Sequence, residues 1–173
     1  FSDKPKGDYR YSIPDDAQLV DHFIREVLGL SRFTLLTHDK GDSVGFAFLS
    51  LYQQAAPPAY KIDHHVILNG GIYLPLAELS AAQKYLTLPG FGRFMTRFIL
   101  TPDRFTAELA KIYLPALTQE EQLNMSSKFK YQGGTTVFPK TLRYLDDRRE
   151  LEETWLQTLS RSEIPATLIW GEQ

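Results

Sequence analysis

The segment Leu36-Thr37-His38-Asp39-Lys40-Gly41-Asp42 carries the pattern richest in chemistry. A small residue, Thr37, stands two places before Asp39, and Gly41 stands two places after it. Small-x-nucleophile-x-small marks a nucleophile elbow, a strand-to-helix turn so tight that its central residue takes a strained backbone and only small neighbours avoid a clash. The turn lifts its central side chain above the sheet, at the N-terminus of the next helix, where the helix dipole stabilises an anion. Serine usually stands at the centre; here Asp39 would make the nucleophile a carboxylate. The same spacing also fits an ordinary Asp that caps a helix in a βα loop.

Other reactive residue types offer less. There is no cysteine, which excludes disulfides, thiolate zinc sites and cysteine nucleophiles. Adjacent residues on a strand point to opposite faces, so His64 and His65 cannot chelate together. His22 falls at the edge of an amphipathic helix, and His38 flanks Asp39 in a packing or hydrogen-bonding role. No metal-ligand spacing is present, so no metal site is expected. Asp146-Asp147-Arg148-Arg149-Glu150 reads as a solvated helix face with local ion pairs.

These residues need elements to position them. Ser12, three places before Asp15, resembles a capping box, with Pro14 in the first turn and Leu19, Val20, Phe23, Ile24, Val27 and Leu28 recurring at helical spacing up to Gly29. Residues 33–37, 64–68 and 166–170 read as buried strands. Residues 41–54 read as a helix, with Val44, Phe48, Leu49 and Tyr52 on one face. Helix and strand alternating over 70 residues imply a parallel sheet. About 95 residues then separate the second strand from the third, with helix-like segments at 76–88, 91–100, 103–114, 119–125 and 139–160. The expected architecture is therefore α/β, a mostly parallel core carrying a helical insertion: 1–70 core, 71–160 helical cap, 161–173 core resumed.

Composition agrees with a globular domain: 173 residues, 43% hydrophobic, 23% charged, formal net charge −2. Without a basic surplus, no nucleic-acid partner is expected. No apolar run approaches the roughly 18 residues of a membrane span, and a cytoplasmic location is expected. The chain opens Phe1-Ser2-Asp3-Lys4-Pro5 and stops just after a strand-like segment, which suggests a fragment of a longer protein with an incomplete core.

Phe33–Val44 resembles the elbow region of the α/β-hydrolase superfamily, and His38-Asp39-x-Gly41 resembles the His-Asp-x-Gly of its epoxide hydrolase and dehalogenase-like branch. Phe1–Pro5 resembles the loop after that family's fourth strand. Ile164-Pro165 through Trp170-Gly171-Glu172 resembles the strand that carries the triad acid. Arg148 resembles an arginine shared by a narrower sub-branch of the superfamily, and that resemblance implies a tie between lid and core. The resemblance implies an Asp39 nucleophile, a covalent alkyl-enzyme ester and an epoxide hydrolase-like, cofactor-free reaction. It also implies two lid tyrosines that protonate the epoxide oxygen. Tyr144, in Leu142-Arg143-Tyr144-Leu145, matches the second, and Tyr85, in Lys84-Tyr85-Leu86-Thr87-Leu88-Pro89-Gly90, matches the first. Tyr85 also fits a core-packing aromatic. Lys40 stands where the branch often has tryptophan, which weakens a halide site, yet its backbone N–H can serve an oxyanion hole. The family's catalytic histidine would fall beyond residue 173. The expected substrate is a small apolar epoxide, halide or ester. The alternatives are a haloalkane or haloacid dehalogenase-like hydrolase, or a non-catalytic binding protein of the same fold.

Overall fold

The computed structural model describes residues 3–71, 73, 76, 101–110, 113 and 115–171. The chain divides into two compact units: Phe1–Arg10 with Leu79–Arg143, and Tyr11–Glu78 with Tyr144–Gln173.

The second unit holds the sheet. Strand β1 (Arg32–His38) leads into a long helix, and the chain returns as strand β2 (Lys61–Leu68); β3 (Ala166–Ile169) follows much later. All three strands are parallel, in the order β1-β2-β3. Parallel pairing puts His38, Leu68 and Ile169 in register at one edge, so every loop that follows a strand opens on that edge. Ligands of open parallel sheets gather there.

Helix α2 (Lys40–Gln54) packs on the sheet, and α1 (Ile13–His22) and α6 (Tyr144–Ser160) pack on α2. Ser12 Oγ accepts the Asp15 N–H at 3.2 Å, and the Ile13 N–H donates to Asp147 Oδ2 of α6 at 2.7 Å. These two bonds satisfy N–H groups that a helix start leaves open. In α2, Phe46, Ala47, Phe48 and Leu49 are all buried, because this helix lies between the sheet and its neighbours α1 and α6. Phe48 stacks on Tyr60 at 5.8 Å, and Phe33 packs against both rings, 5.2 Å from Tyr60 and 6.4 Å from Phe48. Trp155 of α6 and Ile67 of β2 complete this core.

Several expectations change. The apolar stripe of α1 is Ile13, Ala17, Val20 and Ile24, whereas Leu19, Phe23, Val27 and Leu28 are exposed. A π-turn over Phe23–Val27 follows α1, and within it only Ile24 is buried. The strands are not fully buried either. Every residue of β3 is exposed, and Leu36 is 63% exposed. Among the described residues, β1 and β3 each pair with a strand on one side only.

In the other unit, α3 (Pro102–Ala110) packs on α4 (Gln119–Lys130), and α5 is Gly134–Thr141. A full capping box starts α4: the Thr118 hydroxyl accepts the Glu121 N–H, and Glu121 accepts the Thr118 N–H at 2.8 Å. Asp103 of α3 accepts from Ser126 and from Lys130 Nζ of α4. Lys130 Nζ lies 3.0 Å from that carboxylate. The expected single helix 139–160 is two helices, broken between Thr141 and Tyr144. The second of them groups with the sheet rather than with the insertion, since its Trp155 and Leu151 pack into the core of α1 and α2. The segments expected at 76–88 and 91–100 lie, Leu76 apart, outside the described residues.

Candidate active site

Asp39 occupies the one-residue turn between β1 and α2, with φ 53° and ψ −119°. A non-glycine residue held there costs on the order of 1–3 kcal/mol, and such strain clusters at functional sites. Two main-chain bonds hold the turn: the Asp39 N–H donates to the Leu68 carbonyl at 3.2 Å, and the Asp39 carbonyl accepts the Asp42 N–H at 3.1 Å. The side chain is exposed at the carboxyl edge of the sheet. Lys40 opens α2, so its N–H belongs to the first-turn set that has no partner within the helix. Its ammonium reaches Asp16 of α1 at 2.9 Å.

Beneath Asp39 lies a buried polar layer. Thr37 Oγ1 and His65 Nε2 are 2.9 Å apart. A Cβ on Gly45 of α2 would meet Thr37 Cγ2 at 2.7 Å and His65 Nε2 at 3.4 Å, so this helix position admits no side chain without a shift. His65 is buried, its Nδ1 has no partner, and burial together with neighbouring His64 pushes its pKa down to about 4. The imidazole is neutral at pH 7. His64 points to the opposite face, as strand alternation requires, with Nε2 2.8 Å from Thr167 Oγ1.

Asp42 is fully buried. Neither carboxylate oxygen makes a hydrogen bond of normal geometry. Burial pushes its pKa up; the Thr37 hydroxyl, His38, the Leu68 main chain and Arg148 offset part of that penalty. The carboxylate abuts the loop after β2, where a Cβ on Gly70 would fall 1.7 Å from Asp42 Oδ2. The next contact along the edge joins the other two loops: the Gly171 N–H donates to Asn69 Oδ1 at 2.9 Å.

Tyr144 begins α6 and is half-buried. The guanidinium of Arg148, one turn further on, lies over its ring, 4.9 Å from the centroid. Arg148 Nε donates to Ser43 Oγ of α2 at 2.8 Å, while Nη2 has no partner. Asp147 and Arg148 are both buried. The solvated face expected over 146–150 therefore holds only for Asp146, Arg149 and Glu150, because Asp147 turns inward to bond α1 and Arg148 to bond α2. Burial pushes the Arg148 pKa down, opposed by Tyr144 first and then by the carboxylates of Asp39 and Asp42. The guanidinium thus contacts Tyr144 and feels the charges of Asp39 and Asp42 without bonding either.

Tyr85 lies outside the described residues. Among the described residues, no three His, Asp or Glu side chains cluster to hold a metal, and no helix is long and apolar enough to cross a membrane. Nothing in the local sequence joins Thr37, His65, Asp42 and Arg148 into one buried layer. The signals were faint: an acid three places after Asp39, and an acid–base pair at 147–148 followed by apolar Leu151 and Trp155 at helical spacing.

No family model matches the chain. It is 30% identical over 180 residues to the mesoderm-specific transcript protein of Mus musculus, covering 99% of this chain and 52% of that protein. The chain spans about half the length of the curated relatives it matches. Among solved structures it resembles a candidate epoxide hydrolase from Pseudomonas aeruginosa, with a TM-score of 0.71 and 16% identity over 97% of this chain and 57% of that one. A candidate acyltransferase from Salmonella enterica gives 0.69 and 19%, over 98% and 58%. The fold is α/β-hydrolase-like, and this chain holds three parallel strands of such a core.

Proposed function

We propose that this α/β-hydrolase-like chain carries the nucleophile of an epoxide hydrolase-like reaction, with Asp39 at a nucleophile elbow. The supporting observation is the backbone of Asp39 itself, a carboxylate at φ 53° exposed at the carboxyl edge of a parallel sheet. An Asp that merely caps a helix has β-region dihedrals and bonds the first-turn N–H groups; the Asp39 side chain makes no capping bond.

A carboxylate oxygen of Asp39 attacks an epoxide carbon. A C–O ester bond forms as the ring C–O bond breaks, and the released oxygen takes a proton from Tyr144, with Tyr85 as a second candidate donor. Water activated by a general base then attacks the ester carbonyl, releasing the diol and regenerating the Asp39 carboxylate. The N–H of Lys40 is one donor to the resulting oxyanion, aided by the positive end of α2. The helical residues inserted between β2 and α6 are the proposed cap.

The test is covalent trapping. The protein is incubated with styrene oxide, digested and analysed by mass spectrometry. An adduct on the peptide bearing Asp39, lost in Asp39→Asn, is the expected result. Absence of an adduct at Asp39, or an equal yield from Asp39→Asn, overturns the reading.

A further inference from the structure

Opening an epoxide moves a negative charge. Before the step the charge sits on the Asp39 carboxylate. After it, Asp39 is a neutral ester and Tyr144, having given up its proton, is a phenolate. No charge is lost; it migrates from the turn after β1 to the first residue of α6. A group that stabilises charge at Tyr144 more than at Asp39 therefore lowers the barrier, because it binds the transition state better than the ground state.

Arg148 meets that description. Arg148 is buried, 6% exposed as a residue, and a cation shielded from water acts over a longer range than an exposed one. It lies over the Tyr144 ring at 4.9 Å, a modest cation–π contact while the phenol is neutral and a charge–charge attraction once the ring carries charge. Two features keep it there. Nε is held by Ser43 Oγ at 2.8 Å, and Arg148 is one helical turn from Tyr144, the spacing at which two side chains of a helix face each other. Its direct contact is with Tyr144, whereas Asp39 and Asp42 act on it through charge alone. An arginine buried only to brace two helices would have its donors paired; Nη2 is not.

We infer that Arg148 is a positioning residue for the Tyr144 proton donor, stabilising through its guanidinium the phenolate that forms as the epoxide opens. This rests on the assignment of Asp39 and Tyr144 above. Arg148 itself does not touch the substrate and transfers no proton.

The experiment is a double-mutant cycle in the full chain, read as the rate of Asp39 adduct formation with styrene oxide. Arg148→Met slows labelling at least about tenfold, the lower end of what loss of one charge-stabilising donor costs. In a Tyr144→Phe background, where no phenolate can form, the same substitution has no further effect. Arg148→Lys, which keeps the charge, recovers part of the rate, and guanidinium ion partly restores Arg148→Ala whereas neutral urea of similar shape does not. Arg148→Gln replaces Arg148→Met should the latter unfold, with circular dichroism melting as the check. Unchanged labelling in Arg148→Met overturns the inference, as does an equal loss in the Tyr144→Phe background, since that loss would be structural. A wild-type chain that never labels at Asp39 overturns the nucleophile assignment instead, and the inference falls with it.

Discussion

Thr37 Oγ1 sits 2.9 Å from His65 Nε2, joining β1 to β2 directly under the turn that presents Asp39. The bond holds the imidazole in its neutral form in a fully buried place, since an imidazolium there would lack water and its Nδ1 has no partner. The pKa of His65 is about 4 in the fold and about 6.5 in an unfolded chain. Between those values the unfolded state binds the proton and the folded state does not. Stability is therefore full above pH 6.5 and falls as pH drops towards 4, by at most about 3 kcal/mol. His65→Gln cannot take up that proton. Urea melts of both proteins from pH 4 to 7 are expected to show a slope in the wild type that the variant flattens; parallel curves would remove His65 as its source.

The same bond explains a glycine. Gly45→Ala would push a methyl to 2.7 Å from Thr37 Cγ2, closer than carbon atoms pack. The expected cost is about 1–3 kcal/mol, as for other overpacked core sites. Thr37→Ser removes Cγ2 and keeps the hydroxyl on His65, so Gly45→Ala is expected to be tolerated much better in that background. A thermodynamic cycle of the four proteins measures the coupling.

How much of this was legible in the residues depends on what each signal measures. The β1-α2-β2 alternation and the Asp39 turn were readable because local rules govern them: an apolar β-prone run, then a small residue either side of an acid. The outer stripe of α1 was misread because periodicity reports amphipathicity, not which residues another element will cover. Leu19 and Ile24 both fit a helical repeat, yet only Ile24 is buried. Arg148 was misread for a related reason. A charge in a charged run looks solvated unless its distant partner is known, and Ser43 is 105 residues away. Strand burial depends on how many helices cover the sheet, which no strand's own sequence records.

Asp42 should respond to pH in the opposite sense from His65. Its folded pKa is raised by burial, while in the unfolded chain it ionises near pH 4. Whatever stability the protonated form contributes is present below about pH 4 and is lost as pH rises through the folded value. Asp42→Asn keeps the shape and removes the charge. Its melting temperature is expected to exceed the wild type's at pH 8, with the gap closing towards pH 4. A gap that does not change with pH would show that Asp42 does not titrate in this range.

Gly70 is the other half of that contact. With a Cβ 1.7 Å from Asp42 Oδ2, Gly70→Ala must move either the carboxylate or the loop after β2. Moving the loop also disturbs the neighbouring Asn69–Gly171 bond that ties β2 to β3. A loss of about 1–3 kcal/mol is expected, in the range of steric insertion into packed sites. Gly71→Ala serves as control, because no atom lies within 4 Å of a Cβ placed there. Equal melting temperatures for the two variants would contradict the contact.

The last prediction concerns the uncovered face of the sheet. Leu36 is 63% exposed and Ile169 50%. Their register partners Val66 and Leu68 are adjacent non-consecutive positions of β2, so the pair marks one face, opposite Thr37 and His65. β1 and β3 also leave one edge each without a strand partner among the described residues. Open edges beside exposed apolar side chains favour pairing with another chain. The chain by itself is expected to associate with concentration, seen as rising apparent mass in light scattering. Leu36→Thr with Ile169→Thr retains β-prone residues and takes away the apolar surface. It is expected to lower that association while shifting stability by no more than about 0.5 kcal/mol per site, as substitutions at exposed positions do. A double variant that associates as strongly as the wild type would move the cause to the apolar residues exposed along α1 and its π-turn, Leu19, Phe23 and Val27.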